Sequence, residues 1–166
     1  MKTDKIYLVG FMGAGKTSVA RALGHRLGWR VEDNDDAIET RERRKIPEIF
    51  AKDGEPYFRA LERDTLRALA PHRHVIVATG GGTFVDPDNR AAMRSDGATV
   101  WLDVPLAEAI NRVPADGRRP LAADRAAFER LYHLRRAAYE QAHIRLDAGR
   151  ASVDALVEQL VDWLEA

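Results

Sequence analysis

Apolar positions along the chain switch repeatedly between two periodicities. Ile6 to Val9 form a short apolar run ending at Gly10, and after a glycine-punctuated turn Val19, Ala20, Leu23 and Leu27 recur at helical spacing, which predicts strand, loop and helix in that order. A second short strand is expected near Trp29 to Glu32, ahead of the acidic cluster Asp33, Asp35 and Asp36. Helical segments then fit Asp36 to Arg43, Ile46 to Ala51 and Glu55 to Leu69, interrupted near Pro47, Gly54 and Pro56. The run Val75 to Ala78 does not alternate with polar residues, the pattern of a strand buried on both faces, and it ends in Thr79 and three glycines. Ala98 to Leu102 predicts a further strand, with Pro105 in the first turn of a helix reaching Val113. Between Pro114 and Asp124 the sequence PADGRRPLAAD has no periodicity and carries paired arginines, as expected of a mobile loop. A long helix to Ala142, a strand from His143 to Leu146 and a helix with the stripe Val153, Leu156, Val157, Leu160, Val161 and Leu164 complete the chain.

Five short strands separated by helices make a parallel sheet covered on both faces, a three-layer α/β/α fold. A length of 166 residues suits one hydrophobic core, so a single domain over 1–166 is expected. Hydrophobic residues at 45% and charged residues at 31% exclude a disordered or fibrous chain. Lys plus Arg (26) equals Asp plus Glu (26), so no global charge draws the protein to nucleic acid or an anionic membrane, and neither is expected as a partner. The absence of cysteine excludes disulfides, thiolate metal sites and thiol catalysis. The leading MKTDKIYLVG has too short an apolar run for a signal peptide or a membrane span, which makes the cytoplasm the expected location.

The segment Gly10-Phe11-Met12-Gly13-Ala14-Gly15-Lys16-Thr17 matches the Walker A pattern between a predicted strand and a predicted helix. In such a loop the backbone N–H groups converge on phosphate oxygens at a helix N-terminus, so Gly13, Ala14 and Gly15 are expected to cradle a nucleotide. Lys16 would reach the β and γ phosphates, Thr17 would coordinate Mg²⁺, and Ser18 could bond phosphate or cap the helix. No Asn-Lys-x-Asp tetrapeptide is present, which disfavours a Ras-like GTPase. The strand at 75–78 ends in Thr79 rather than the Walker B Asp, leaving Asp33 and Asp35 as candidates to complete the metal shell.

Asp33 and Asp35 flank Asn34, and period-two geometry would send both carboxylates to one side, at the strand edge where an open α/β sheet carries its site. One could order Mg²⁺ through water and the other hold or deprotonate an attacking hydroxyl; helix N-capping is the alternative, best suited to Asp36. Gly80, Gly81 and Gly82 would permit close approach of a ligand. Arg59 could bind an anion or be a solvated helix residue. Phe50 and Phe58 could wall an acceptor pocket. His25, His72, His74, His133 and His143 show no metal-ligand spacing.

Together these pieces resemble the shikimate kinase family, from Ile6 to the C-terminal helix. The resemblance is carried by GFMGAGKT at 10–17, DND at 33–35, Phe58-Arg59 with Glu62 following, TGGG at 79–82, Arg112, RRPL at 118–121 and LYHLRRAAY at 131–139, in which Arg136-Ala137-Ala138 stand where the family commonly carries a proline. It implies the nucleoside monophosphate kinase fold with strand order 2-3-1-4-5, an acceptor-binding segment at 33–62 and a lid at 113–123. It also implies transfer of the γ-phosphoryl of ATP to the 3-hydroxyl of shikimate, on the route to chorismate and the aromatic amino acids. Asp35 would then hold the shikimate hydroxyls near the attacking oxygen. Arg59, Arg135 and Gly80 to Gly82 would form the carboxylate pocket, Asp33 would support the magnesium shell, Arg119 would reach from the lid to the transferring phosphate, and Arg112 would stack on adenine. ATP and shikimate are the expected partners, and a monomer the expected state. The competing readings are a related P-loop kinase acting on gluconate or a nucleotide, and an ATP-binding sensor without transfer activity.

Replacing Arg119, a loop residue, by Ala is expected to leave the fold intact and lower kcat by about 10² to 10³, the cost of one transition-state charge contact. Single-turnover phosphorylation at saturating ATP and shikimate, paired with a thermal melt, measures this; an unchanged chemical step in a folded variant would remove Arg119 from the mechanism.

Overall fold

The computed structural model describes residues 1–112 and 124–166. The loop, the lid at 113–123 and its Arg118 and Arg119 therefore lie outside the described residues.

Five parallel strands, β1 (Lys5–Val9), β2 (Arg30–Asp33), β3 (Val75–Ala78), β4 (Ala98–Asp103) and β5 (Ile144–Asp147), stand in the order β2-β3-β1-β4-β5. Ile6 pairs with Ile76 on one side and Ala98 on the other, and this register carries the ends of β1, β3 and β4 to one edge. Every residue of β1, β3 and β4 is buried, as the unalternating apolar runs require of strands covered on both faces. The outer strands, Arg-Val-Glu-Asp and Ile-Arg-Leu-Asp, mix charged and apolar residues and are only partly buried.

Among the described residues seven α-helices cover the sheet: α1 (Lys16–Leu27), α2 (Asn34–Glu42), α3 (Ile46–Leu69), α4 (Pro87–Asp96), α5 (Leu106–Arg112), α6 (Arg125–Tyr139) and α7 (Val153–Glu165). Val19, Ala20 and Leu23 turn α1 to the sheet, and its last turn closes on Gly28, in the left-handed region at φ 69°. The break expected near Gly54 is a kink inside α3, where Gly54 has φ 82° and ψ 173°. Helix α4 has no counterpart in the apolar pattern, because its sequence PDNRAAMRSD buries only Asn89 and Met93. It is set instead by its start: Asp86 caps the N–H groups of Asp88 and Asn89, and Pro87 occupies the first turn.

The residues cluster into two cores. The larger one lies on both sides of the sheet, while Ile38, Ile46, Ile49, Phe58 and Leu61, with Phe50 against them, form a small separate core between α2 and α3.

At the N-terminal edge of the sheet Lys5 is fully buried. Its ammonium donates to the Leu69 carbonyl (2.5 Å) and pairs with Asp96 (2.6 Å), which also accepts from the Tyr7 hydroxyl (2.6 Å) and from Arg73 (2.8 Å). Burial alone would raise the Asp96 pKa, but Lys5, Tyr7 and Arg73 outweigh it and hold the carboxyl below its ordinary value. Stability from this group is thus present above the ordinary carboxylate pKa and lost as pH falls through the lower native value. Asp96→Ala strands the Lys5 charge, so urea unfolding at pH 7 should show a loss of about 3 kcal/mol that shrinks as pH falls below about 4. A loss of the same size at pH 3 and pH 7 would show that the ion pair is not its source.

Candidate active site

The turn from β1 into α1 is built on glycines for stated reasons. Gly10 has φ 146°, and a Cβ there would stand 2.6 Å from the Leu102 carbonyl oxygen of neighbouring β4. Gly15, at φ 88°, is the left-handed residue from which α1 departs, so the N–H groups of Lys16, Thr17 and Ser18 open the helix toward the loop. Since Gly15 is the cap, Ser18 has no capping role; it is exposed in the first turn. Lys16 is buried, and its ammonium donates to the carbonyls of Gly10 (2.6 Å) and Phe11 (3.1 Å), which keeps it folded over the loop. Ala14 closes the loop with a bond from its N–H to the Phe11 carbonyl (3.2 Å). Arg112, at the end of α5, donates to the carbonyls of Gly13 (3.3 Å), Ala148 (3.2 Å) and Gly149 (3.1 Å), joining this loop to the β5–α7 turn.

The Asp33 and Asp35 geometry differs from the expected period-two arrangement. The strand ends at Asp33 and the helix begins at Asn34, so Asp35 lies in the first helical turn. Asp33 is itself the N-cap of α2, accepting from the Asp36 N–H (3.1 Å), while Asp36, expected as the cap, is the donor. The other Asp33 oxygen accepts from the Thr17 hydroxyl (2.8 Å). The pair thus divides: Asp33 serves the P-loop, and buried Asp35 lines the cavity beside it.

That cavity, about 320 Å³, lies between α3, the Gly80 to Gly82 turn and α6, and its lining includes Asp35, Arg59, Glu62 and Arg135. Its apolar wall comes from Met12, Ile46, Phe50, Phe58 and Leu131, with the Phe50 and Phe58 rings 5.0 Å apart. Each glycine of the turn makes room for one charged side chain. A Cβ on Gly80 would lie 2.9 Å from Asp35 Oδ1, one on Gly81 2.8 Å from Arg135 Nη1, and one on Gly82 2.5 Å from Arg59 Nη1.

The two arginines are held differently. Arg59 donates to Glu62 (2.6 Å) and Glu55 (3.3 Å); burial would lower its pKa, but the two carboxylates outweigh it and the net shift is upward. Arg135 is buried beside the Phe11 ring, and no carboxylate among the described residues lies within ion-pair distance of it. Burial lowers its pKa, with the nearby Tyr139 oxygen only partly offsetting this.

Two residues were given no role by the sequence. Buried Glu62 accepts from both Arg59 and the Thr83 hydroxyl (2.7 Å), and burial raises its pKa against the pull of Arg59. Tyr139 donates to the Gly81 carbonyl (2.5 Å), and burial pushes its pKa up to about 12. Both follow a pocket arginine at helical spacing, Glu62 three residues after Arg59 and Tyr139 four after Arg135, which is the signal that could have revealed them.

Among the described residues there is no group of three His, Cys, Asp or Glu side chains suited to a metal. The Thr17 and Asp33 oxygens fit Mg²⁺ instead, a hard cation that takes few protein ligands and completes its shell with water and substrate phosphates. No described helix is long and apolar enough to cross a membrane.

The shikimate kinase family model matches residues 12–165. Shikimate kinase of Geobacter metallireducens is 39% identical over 163 residues, covering 96% of this chain and 91% of its own. That of Persephonella marina is 38% identical over 157 residues, covering 94% and 96%. The structure of shikimate kinase from Acinetobacter baumannii in complex with shikimate superposes with a TM-score of 0.93 at 32% identity, covering 98% of this chain and 93% of that one. With a phosphate-binding loop on one side of Met12 and a cavity holding two arginines and a carboxylate on the other, the chain belongs to the shikimate kinase family.

Proposed function

We propose that this protein transfers the γ-phosphoryl group of ATP to the 3-hydroxyl of shikimate, yielding shikimate 3-phosphate and ADP. The observation that carries this reading is Arg135: a buried cation without a carboxylate partner among the described residues, facing the same cavity as Arg59. A buried charge is costly unless paired, so the site is complementary to an acceptor that brings its own carboxylate. Two planar guanidinium forks suit that group better than ammonium ions would. Asp35 is placed to accept from hydroxyls at the other end of a small polyol, and the apolar wall of Phe50, Phe58 and Ile46 suits the carbon face of its ring.

Phosphoryl transfer requires in-line placement and charge stabilisation more than a protein nucleophile. The N–H groups of Gly13, Ala14, Gly15, Thr17 and Ser18 bind the phosphates at the positive end of α1, and Lys16 exchanges its loop carbonyls for the β and γ oxygens. Thr17 and Asp33 would hold Mg²⁺, which when bound neutralises phosphate charge. Arg112 borders the nucleotide edge, and Asp35 orients the attacking hydroxyl and can take its proton. Glu62 keeps Arg59 oriented from behind. The Acinetobacter relative bound to shikimate supports the acceptor assignment. The reading places the enzyme in the cytoplasm as a monomer.

ADP release measured with Mg²⁺, ATP and, separately, shikimate, gluconate and nucleoside monophosphates tests this. Shikimate should be turned over far faster than ATP is hydrolysed in water; background release with shikimate and turnover of another acceptor would overturn the assignment. Lys16→Ala should chiefly lower kcat, whereas Arg59→Lys should chiefly raise the KM for shikimate, because a point charge cannot reproduce a bidentate contact. Unchanged shikimate affinity of Arg59→Lys by calorimetry would exclude Arg59 from the pocket.

A further inference from the structure

The last turns of α6 carry two adjacent arginines that face different ways. Arg135 and Tyr139 share the face toward Gly81, while Tyr132 and Arg136 share the face toward the end of β4. Arg136 forms a two-point fork on Asp103, the last residue of β4, with Nη1 to Oδ1 at 2.7 Å and Nη2 to Oδ2 at 3.2 Å. Its Nη1 also donates to the Tyr132 hydroxyl (2.9 Å), which in turn donates to the Val104 carbonyl (2.7 Å). The guanidinium lies 4.9 Å from the centre of the Trp101 ring. Asp103 is buried and receives a second cation, Arg145, at 2.8 Å. Neither Arg136 nor Asp103 lines the acceptor cavity.

Apart from the Tyr132 bond to Val104, the other described contacts of α6 are mostly ring packing. Phe128 and Tyr132 meet Phe11 edge-on at 5.0 and 5.2 Å and the Tyr139 ring lies 6.0 Å from Trp101, ring packing that holds the helix in place with less directionality than a two-point fork. Tyr139 adds a single bond at the far end. A fork of two parallel bonds on a buried carboxylate is directional, and successive helical residues are separated by about 100° around the axis. Fixing the Arg136 fork therefore fixes the direction in which its neighbour leaves the helix.

We propose that Arg136 is a positioning residue for the acceptor site: its attachment to Asp103 sets the rotation and axial position of α6 and so holds the Arg135 guanidinium against Gly81. The proposal rests on the reading of Arg135 as a binder of the acceptor carboxylate. Arg136 touches no substrate; it acts through Arg135. Its side chain is 30% exposed and three aromatic residues also anchor α6, so Arg136→Ala is expected to fold.

The test uses the full chain and steady-state kinetics with shikimate and ATP varied separately, alongside thermal unfolding. Arg136→Ala should raise the KM for shikimate about tenfold, within the hundredfold that a displacement of about 1 Å can cost, while the KM for ATP and kcat change by less than about twofold. Arg136→Lys, which keeps the cation but not the fork, should fall between Arg136→Ala and wild type; it also serves if Arg136→Ala does not fold. Leu160→Ala, in the main core on α7, should lower the melting temperature and leave the KM for shikimate unchanged, separating aim from stability. In an Arg135→Lys background the effect of Arg136→Ala on KM should largely vanish, since the group it positions is already gone. An unchanged KM for shikimate, an equal rise for both substrates, or additive effects in the double variant would overturn the proposal. A wild-type protein inactive on shikimate would overturn the functional reading and the proposal together; an active wild type with an unaffected Arg136→Ala would overturn the proposal alone.

Discussion

Crowding at one turn governs the rest of the site. Three backbone positions in succession stand where any Cβ would run into a charged side chain, and each meets a different one, delivered by a different element: Asp35 from α2, Arg135 from α6 and Arg59 from α3. A side chain at any of the three would push the charged tip it meets out of its present place. The turn is anchored by buried β3 on one side and by the Tyr139 bond on the other. The charged tips occupy the space that side chains at these three positions would take.

The sheet supplies the frame for that turn. Its central strands are buried along their whole length, and their parallel register brings the P-loop after β1, the glycine turn after β3 and Asp103 of β4 to the same edge. At the opposite edge Lys5, Tyr7, Arg73 and Asp96 form an ion-paired, hydrogen-bonded cluster. At the functional edge Arg135 is a buried cation with no carboxylate at ion-pair distance among the described residues.

What could be read from the sequence follows the strength of the local signal. The unbroken run Val75 to Ala78 and the stripe of α7 define their elements within a residue or two, since burial on one or both faces leaves a periodic trace. Helix α4 left none, because it packs by only two side chains and is specified by a cap and a proline. Asp33 and Asp35 were assigned to one cavity edge by strand periodicity, but the helix starts between them, and that boundary depends on a capping bond that spacing cannot place. The P-loop was legible because its chemistry is local. Glu62 and Tyr139 were not, because their importance arises only when α3 and α6 meet across the glycine turn.

The small core between α2 and α3 shares no buried residue with the main one. Phe58 belongs to it and also walls the acceptor cavity, as do Ile46 and, at its margin, Phe50. Ile46, Phe50 and Phe58, three of the five apolar wall residues, thus belong to this small module, while Met12 and Leu131 tie the wall to the main core that holds the phosphate-binding edge. The three side chains of the small module, rather than Met12 of the phosphate-binding loop, are therefore the place to begin redesigning acceptor choice.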